Sequence, residues 1–381
     1  MLDPRVWMGV QRLLEAYVDI RTGDVAVILY TSDSQEAAIW VSAALELRGV
    51  DARRAWMAPL QDEDFPGRLA SILPAPSEVS RRLVVLTFER DTMSHTRALE
   101  QALVPFEPAR RAMFRTISAS ASFFTEALSV SPPDLSARNA AVLSRFMGAS
   151  RLRIRTDGGT DIVVGLDNLK HRWISNRGVA RPGGVVILPA GEVATYPAMV
   201  SGKFVADFAF NVNAITNQDA RLAAHPVTVT IEDGRAVKYH CADPVMTKFL
   251  DDCFLTHCAH NVGELGFGTN WGVIDAVAMN SHINERRPGV HLGFGQHNQD
   301  PGVVGYQCPI HLDLIARGGQ VWVDDDPVPM DLENLAPSDS PHPSHPRDED
   351  VFSPQQGAFE ADDCCGLVTA DGLQLCHPRP Q

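Results

Sequence analysis

Along the first 149 residues, short continuous apolar runs alternate with stretches whose apolar positions have a helical period. The predicted elements are, in order, a helix from Val6 to Val18, a strand from Asp24 to Tyr30, a helix that ends at Gly49, strands in DARRAWM and RRLVVLTFE, and a helix in NAAVLSRFMGA. Strand, capped helix, glycine and strand in this order are typical of a βαβ unit. The Ser/Asp-rich turn after the first strand lacks a GxGxxG pattern, so we interpret this part as a structural domain rather than a dinucleotide site.

From Arg151 the pattern changes to alternating apolar and polar residues, which is typical of strands with one buried face. RLRIRTDGGTDIVVGLD predicts a β-hairpin with a Gly-Gly turn. Further strands are predicted in GGVVILP, GKFVADFAFNV and PVTVTIEDGRAVKY, followed by a helix in DPVMTKFLDDCFLTH and last strands ending at VWVDDDPVP. We therefore predict an α/β fold class, with an N-terminal βαβ-type domain over 1–149 and a β-rich α+β domain over 150–330.

The last part of the chain, residues 331–381, has a different composition. Proline, serine and acidic residues dominate and no apolar period persists, so we predict a disordered acidic tail. Its end carries Cys364, Cys365, Cys376 and His377. Adjacent cysteines lack the CxxC spacing of zinc sites, so this cluster is a weak candidate for metal binding.

Composition excludes several classes of protein. The 381 residues carry a formal net charge of −14, which argues against a general nucleic-acid or anionic-membrane surface. No apolar run has the length of a membrane span, and the N-terminus lacks the features of a signal peptide, so the expected location is the cytoplasm. Seven cysteines without regular spacing predict reduced thiols rather than a disulfide framework.

Four short segments of the second domain contain residue types that hold metal ions. Residues two apart on a strand point to the same face, so the pair in CPIHLDLI is able to reach one ion. The glutamates stand beside glycines, which let a carboxylate approach a crowded centre. Two metals held close together need a bridging carboxylate plus terminal oxygen and nitrogen ligands. The candidate ligands are Glu192 in LPAGEVATYP, Glu264 in HNVGELGFGTN, His291 in PGVHLGFGQHN, and His311 and Asp313 in CPIHLDLI.

Each of these residues, taken singly, has a simpler interpretation. A lone histidine in an apolar strand is more often a hydrogen-bonded core residue, and a glutamate in a loop is usually solvated. For His291 considered alone, the core interpretation is favoured. The order of the whole set along the chain favours a metal centre instead.

The set resembles the aminopeptidase T/aminopeptidase S family of metallopeptidases over most of residues 1–330. The matching segments are the Gly-Gly hairpin, LPAGEVATYP, ELGFGTN, VHLGFG, and IHLD followed by RGGQVWVDD. Each motif is weak by itself, but together in this order they are specific. The resemblance implies that all the candidate ligands bind a pair of divalent metal ions (zinc, cobalt or manganese) and that the β-rich domain is catalytic.

The sequence departs from this family at one catalytic position. The family carries a tyrosine seven residues after the ligand histidine, and Asn298 stands there in this chain. His297 lies next to it and Tyr306 follows in GYQCP, so both are candidates to donate a hydrogen bond to an oxyanion. Glu192 and Glu264 are candidate general bases as well as ligands.

The resemblance implies an aminopeptidase-like hydrolase that cleaves the amide bond of a short peptide or an amino-acid amide, and that forms homodimers. More distantly, the chain resembles 2,5-dihydroxypyridine dioxygenases, whose single Fe(II) is held by two histidines and one aspartate. His291, His311 and Asp313 have these residue types. That family lacks both glutamates, which this chain keeps. A third interpretation is a catalytically inactive metal-binding scaffold.

Overall fold

The structure, a computed structural model, describes residues 3–89, 93–181 and 183–344, together with the backbone of three short strands in 351–352, 366–369 and 372–375. Its helices are α1 (Pro4–Arg12), α2 (Gln35–Leu47), α3 (Phe65–Ile72), α4 (Thr96–Leu103), α5 (Pro132–Phe146), α6 (Pro244–Cys253), α7 (Ile283–Arg286) and α8 (Pro301–Val304). Short π-helical turns span Leu13–Tyr17 and Phe123–Ala127, and 3-10 turns span Ser32–Ser34, Pro76–Glu78, Pro108–Arg110 and His257–His260. No helix in the described ranges has both the length and the apolar character needed to cross a bilayer.

The strands fall into four sheets. In chain order they are β1 (Val25–Tyr30), β2 (Asp51–Trp56), β3 (Leu83–Glu89), β4 (Arg111–Ile117), β5 (Arg151–Arg155), β6 (Asp161–Gly165), β7 (Trp173–Asn176), β8 (Val185–Leu188), β9 (Glu192–Thr195), β10 (Met199–Ala206), β11 (Ala209–Val212), β12 (Ala214–Ile215), β13 (Val227–Glu232), β14 (Arg235–His240), β15 (Val262–Gly268), β16 (Gly289–Gly295), β17 (His311–Arg317), β18 (Gln320–Val323), β19 (Met330–Asp331), β20 (Val351–Phe352), β21 (Gly366–Thr369) and β22 (Gly372–Leu375).

Several helices begin with the same local device. Asp3, Ser131 and Asp243 stand just before α1, α5 and α6, and the side chain of each accepts a hydrogen bond from a backbone N–H in the first turn. A proline follows each cap, where its missing N–H costs no helical hydrogen bond. The helices predicted in these three segments are confirmed.

The first sheet is parallel and buried on both faces. Its strand order is β2-β1-β3-β4-β8. Alternate residues of β1 enter two different cores: Ile28 packs with α1 and α2, whereas Val27 packs with α3 and α4. Helices cover both faces, as expected for a parallel sheet built from βαβ units. The predicted α/β fold class is confirmed.

The other large sheets have mainly antiparallel pairs and share one core. Their strand orders are β14-β13-β10-β6-β5-β18-β19 and β11-β17-β16-β15-β9-β7-β20. Apolar residues of both sheets enter a single cluster with α5 and α6, represented by Ile154 and Phe204 from one sheet and Leu292 and Leu314 from the other. The hairpins predicted around the Gly-Gly and Asp-Gly turns are confirmed as β5–β6 and β13–β14.

One strand of the predicted second domain, residues 150–330, belongs to the first sheet. Val185–Leu188 lies beyond residue 150, yet it pairs in parallel with β4. The chain then runs directly into β9 of the third sheet, which begins at Glu192. The division of the chain at residue 149 stays a prediction, and the two parts are joined through this crossing segment.

One pair of cysteines differs from the expectation based on the sequence. Cys258, in the turn before β15, forms a disulfide bond with Cys308, three residues before His311. The prediction of reduced thiols is therefore wrong for this pair, because residues 50 positions apart in sequence meet at a Cα–Cα distance of 5.7 Å. Cys241 and Cys253 are free and buried.

The C-terminal segment is described only in part. Leu332 and Leu335 are buried in the core that the two large sheets share, and the backbone N–H of Ser338 donates to the carbonyl of Ala137. The candidate cluster Cys364, Cys365, Cys376 and His377 lies outside the described residues. Residues 332–338 are thus packed against the folded part of the chain. For the residues beyond 344 the predicted disorder stays a prediction.

A buried ion pair in the first sheet gives a test of this architecture. The Arg115 guanidinium donates to Glu89 Oε1 at 2.7 Å, to the Ser94 carbonyl at 2.7 Å and to Thr87 Oγ1 at 3.1 Å. We expect Glu89→Ala to lower the free energy of unfolding by about 3–5 kcal/mol, because it leaves a buried guanidinium charge without its partner. Urea unfolding followed by circular dichroism measures the change.

The matched control for this prediction removes both charges. The double variant Glu89→Ala with Arg115→Met should recover a large part of the loss, because no uncompensated charge remains in the core. A Glu89→Ala protein as stable as the wild type would contradict the packing described for β3 and β4.

Candidate metal centre

All the candidate ligands lie on four neighbouring strands of the third sheet. Its order β17-β16-β15-β9 places His311 and Asp313 on β17, His291 on β16, Glu264 on β15 and Glu192 at the start of β9. The apolar residues that alternate with them, such as Leu292 and Leu312, enter the core on the other face. The sheet therefore gathers the polar side chains on one face.

Each ligand stands opposite a glycine on the next strand. The cross-strand pairs are Glu192 with Gly268, Glu264 with Gly293, His291 with Gly266, Asp313 with Gly293, and His311 with Gly295. A side chain at Gly266 or Gly293 would occupy the space that the candidate ligands use. A Cβ at Gly266 would lie 1.9 Å from His291 Nε2, and one at Gly293 would lie 2.8 Å from Asp313 Oδ1. The glycines thus create the room in which the polar groups meet.

The ligand atoms form two groups with one shared member. Glu192, Glu264 and His291 make the first group, and Glu264, His311 and Asp313 make the second. Within each group the ligand atoms lie within 4.8 Å of one another. The Nε2 atom of His291 is 3.1 Å from Glu192 Oε1 and 3.4 Å from Glu264 Oε1, and His311 Nε2 is 3.1 Å from Asp313 Oδ1. Glu264 stands where a carboxylate would bridge two ions.

The hydrogen bonding of these side chains suits cation binding. His311 Nδ1 donates to the Gln296 carbonyl at 2.8 Å, which leaves Nε2 as the free ligand atom on the side of Asp313. Among the described residues, Asp313 Oδ1 and both ring nitrogens of His291 are buried without a well-aligned hydrogen bond. Buried polar atoms without partners are costly unless an ion or water completes them. The residues therefore fit a divalent cation.

Glu192 has a second partner, a buried arginine. One Nη atom of Arg286 forms a close ion pair with Glu192 Oε2 and lies 3.1 Å from Glu285 Oε2. The backbone of β9 is held as well, because Asn139 Nδ2 donates to the Glu192 carbonyl at 3.0 Å. Helix α7, which carries Arg286, packs against β11, β15 and β17. Glu192 is therefore fixed at both its backbone and its carboxylate.

The electrostatics of the centre lower the pKa of two of its carboxylates, Glu192 and Asp313. Burial opposes ionisation of Glu192, but Arg286 and then His291 lower its pKa to about 2. The pKa of Asp313 is also lowered, because the charge of His311 outweighs burial. Burial also disfavours a charged His291, yet the carboxylates of Glu192 and Glu264 next to its Nε2 atom raise the pKa to about 10. Burial and the neighbouring Asp313 raise the pKa of Glu285 well above its usual value.

The two residues considered as substitutes for the family's tyrosine have hydrogen bonds to the backbone. His297 Nε2 is 2.7 Å from the Tyr306 carbonyl, and its Nδ1 accepts from the Gln299 N–H at 3.3 Å. Tyr306 donates its hydroxyl to the Gly295 carbonyl at 3.0 Å. Neither belongs to the two ligand groups, and the catalytic role expected of His297 stays a prediction. Asn298, in contrast, donates through Nδ2 to Glu264 Oε2 at 2.9 Å.

Several residues around the centre were not predicted from the sequence. Arg286 and Glu285 lie in the segment NERRPG, whose charges are typical of an exposed turn, yet both are buried. His282 is half-buried, and burial together with Arg286 lowers its pKa to about 4. One sequence pattern does mark the strands on either side of this segment. In GELGFG and HLGFG, every second residue is a glycine or a candidate ligand.

Comparisons with known proteins agree with this fold. A family model described as crocagin biosynthetic protein CgnE/B matches residues 201–321, which contain all the candidate ligands except Glu192. No curated protein matches the sequence.

Two solved structures share the fold of nearly the whole chain. The 2,5-dihydroxypyridine dioxygenase of Pseudomonas putida KT2440 is 14% identical, with a TM-score of 0.60 over 88% of this chain and 99% of its own. Wild-type AmpT of Thermus thermophilus is also 14% identical, with a TM-score of 0.52 over 84% of this chain and 95% of its own. The fold implied by the sequence resemblance is confirmed, and it is common to an aminopeptidase and a dioxygenase.

Proposed function

We propose that the protein is a metal-dependent hydrolase that cleaves an amide bond in a short peptide or an amino-acid amide. The observation that carries this proposal is the pair of ligand groups that share Glu264. Two ions bridged by a carboxylate are typical of hydrolytic centres, including aminopeptidases. The fold that the chain shares with AmpT adds support.

The residues around such a centre would have different roles in the reaction. Two divalent cations, when bound, would supply Lewis acidity and lower the pKa of a water molecule. Glu264 would hold both ions, while Asn298 fixes its Oε2 atom through the 2.9 Å hydrogen bond. Glu192 or Glu264 would accept the proton of the attacking water, since both carboxylates lie in the group that would hold the first ion. The side chain of His311 is 23% exposed, so the centre reaches the protein surface on that side.

The second candidate is a mononuclear Fe(II) dioxygenase. The similarity to 2,5-dihydroxypyridine dioxygenase supports it, with the higher TM-score of 0.60. His291, His311 and Asp313 supply the residue types of a two-histidine, one-carboxylate iron site. In the described part of the chain, however, these three do not form one close group; the groups are those that Glu264 joins. That geometry favours the hydrolase.

Metal analysis followed by activity assays tests the proposal. The full chain is stripped with a chelator and reconstituted separately with Zn²⁺, Mn²⁺, Co²⁺ and, without oxygen, Fe²⁺. We expect about two Zn²⁺, Mn²⁺ or Co²⁺ ions per chain and hydrolysis of a panel of aminoacyl amides and dipeptides. The double variant His311→Ala with Asp313→Ala should lose about one ion per chain, because both residues belong to the second group, and at least about 10³-fold of the activity.

Other outcomes separate the alternatives. One Fe²⁺ per chain, with oxygen consumption on dihydroxypyridines and no amide hydrolysis, would establish the dioxygenase instead. A wild-type chain that binds metal but acts on none of these substrates would leave the inactive metal-binding scaffold. Full hydrolytic activity in the double variant, or a wild-type chain that binds no metal, would refute the proposed mechanism.

A further inference from the structure

We infer that Arg286 makes the two halves of the metal centre unequal, so that the group Glu264, His311 and Asp313 binds a divalent cation more tightly than the group Glu192, Glu264 and His291. The inference rests on the proposed two-metal centre and adds the order in which its halves fill. The inference concerns the metal affinity of the two ligand groups and is independent of which substrate the protein cleaves.

The guanidinium of Arg286 is fixed in the centre. Its side chain is only 3% exposed, and its Nε atom donates to the Pro189 carbonyl at 3.0 Å. Its Nη1 atom contacts both Glu192 Oε2 and Glu285 Oε2. Pro189 lies three residues before Glu192, so the arginine binds both the segment that leads into β9 and the carboxylate on it. An arginine so held keeps its positive charge at any working pH.

The contact divides the two oxygens of Glu192 between two partners. Oε2 pairs with the guanidinium, and Oε1 lies 3.1 Å from His291 Nε2, where the ion of the first group would bind. An ion held by Oε1 would be separated from the fixed positive charge by a single carboxylate. Because two cations repel strongly at such a distance in a buried site, the affinity of this half is reduced.

The second half has no such neighbour of its own. Among the described residues, the ion pairs of Asp313 and Glu264 are formed with histidines, which are neutral when they bind metal. Arg286 acts on Glu192 more strongly than on Glu264 or Asp313. His311 is also oriented in advance by its 2.8 Å hydrogen bond to Gln296, so less ordering accompanies binding there. The weaker repulsion from Arg286 and the orientation of His311 therefore both favour tighter cation binding by the second half.

Calorimetric titration of the chelator-treated full chain with Mn²⁺ tests the inference. For the wild type we expect two binding events whose affinities differ by at least about tenfold. His291→Ala should remove the weaker event, and Asp313→Asn should remove the tighter one. Arg286→Met should strengthen the weaker event by at least about tenfold, while Arg286→Lys, which keeps the charge, should stay within about threefold of the wild type.

The possible results separate this inference from the proposed function. Two events of equal affinity in the wild type, or loss of the tighter event in His291→Ala, would overturn the inference while the two-metal centre stands. An Arg286→Met protein that is folded by circular dichroism but keeps the weaker event unchanged would do the same. If Arg286→Met does not fold, the titrations of the wild type, His291→Ala and Asp313→Asn still show whether the two groups differ in affinity as inferred. Absence of binding in titrations with Mn²⁺, Zn²⁺ and Co²⁺ alike would refute the proposed function as well.

Discussion

Glu264→Gln is expected to empty both halves of the metal centre at once, and to reduce hydrolysis by at least about 10³-fold. Glu264 is the one residue common to both ligand groups, and the substitution keeps its size while removing its charge. A neutral amide is a much poorer bridge between two cations than a carboxylate is. In contrast, His291→Ala should lose about one ion per chain, because only the first group contains that histidine. Elemental analysis of the reconstituted variants measures both stoichiometries.

The control for Glu264→Gln is Glu46→Gln, which makes the same chemical change on the exposed side of α2. We expect that variant to match the wild type in metal content and activity. Thermal unfolding of the metal-free proteins should show Glu264→Gln folded but less stable than the wild type, because the variant loses the negative charge that lies 3.4 Å from His291 Nε2. A Glu264→Gln protein that binds metal with wild-type stoichiometry would contradict the bridging role.

A single methyl group at Gly266 is expected to destroy the first half of the centre. The Cβ of Gly266→Ala would lie 1.9 Å from His291 Nε2 and 2.3 Å from Cε1, so the imidazole must leave its position between Glu192 and Glu264. We expect loss of about one ion per chain, together with a decrease of about 1–3 kcal/mol in the free energy of unfolding from overpacking. Metal analysis and urea unfolding measure the two effects separately.

Gly67→Ala is the matched control for this variant. Its added Cβ meets no atom within 4 Å, and the residue lies in α3, where alanine is the better helix former. It should leave metal binding unchanged and make the protein equally or slightly more stable. If Gly266→Ala bound both ions with wild-type affinity, the cross-strand pairing of Gly266 with His291 would be wrong.

Local patterns identified most of the secondary structure and the strands that carry the candidate ligands. The alternation in CPIHLDLI places His311 and Asp313 on one face of β17 and the neighbouring leucines in the core, as the structure shows. The turn residues Gly158 and Gly159 likewise predict the β5–β6 hairpin, since its two strands are adjacent in sequence. These predictions succeed because each depends on contacts within a few residues.

Contacts between distant segments could not be predicted in the same way. GGVVILP is a short apolar run that suits several sheets, and only the exposed edge of β4 decides that it completes the parallel sheet. The disulfide between Cys258 and Cys308 depends on the approach of two turns 50 residues apart. Nothing in the charges of NERRPG distinguishes a buried Arg286 from an exposed one.

The residue types of the candidate ligands, their alternation along strands and the glycines on the same strands all follow from the sequence. These are properties of a backbone whose side chains repeat every second residue. The tertiary structure alone decided which strands are neighbours, and so brought Glu192 to the glycine edge of β15 and Arg286 to its carboxylate. The physical reason is that strand order and register depend on the packing of whole sheets, which no single segment encodes.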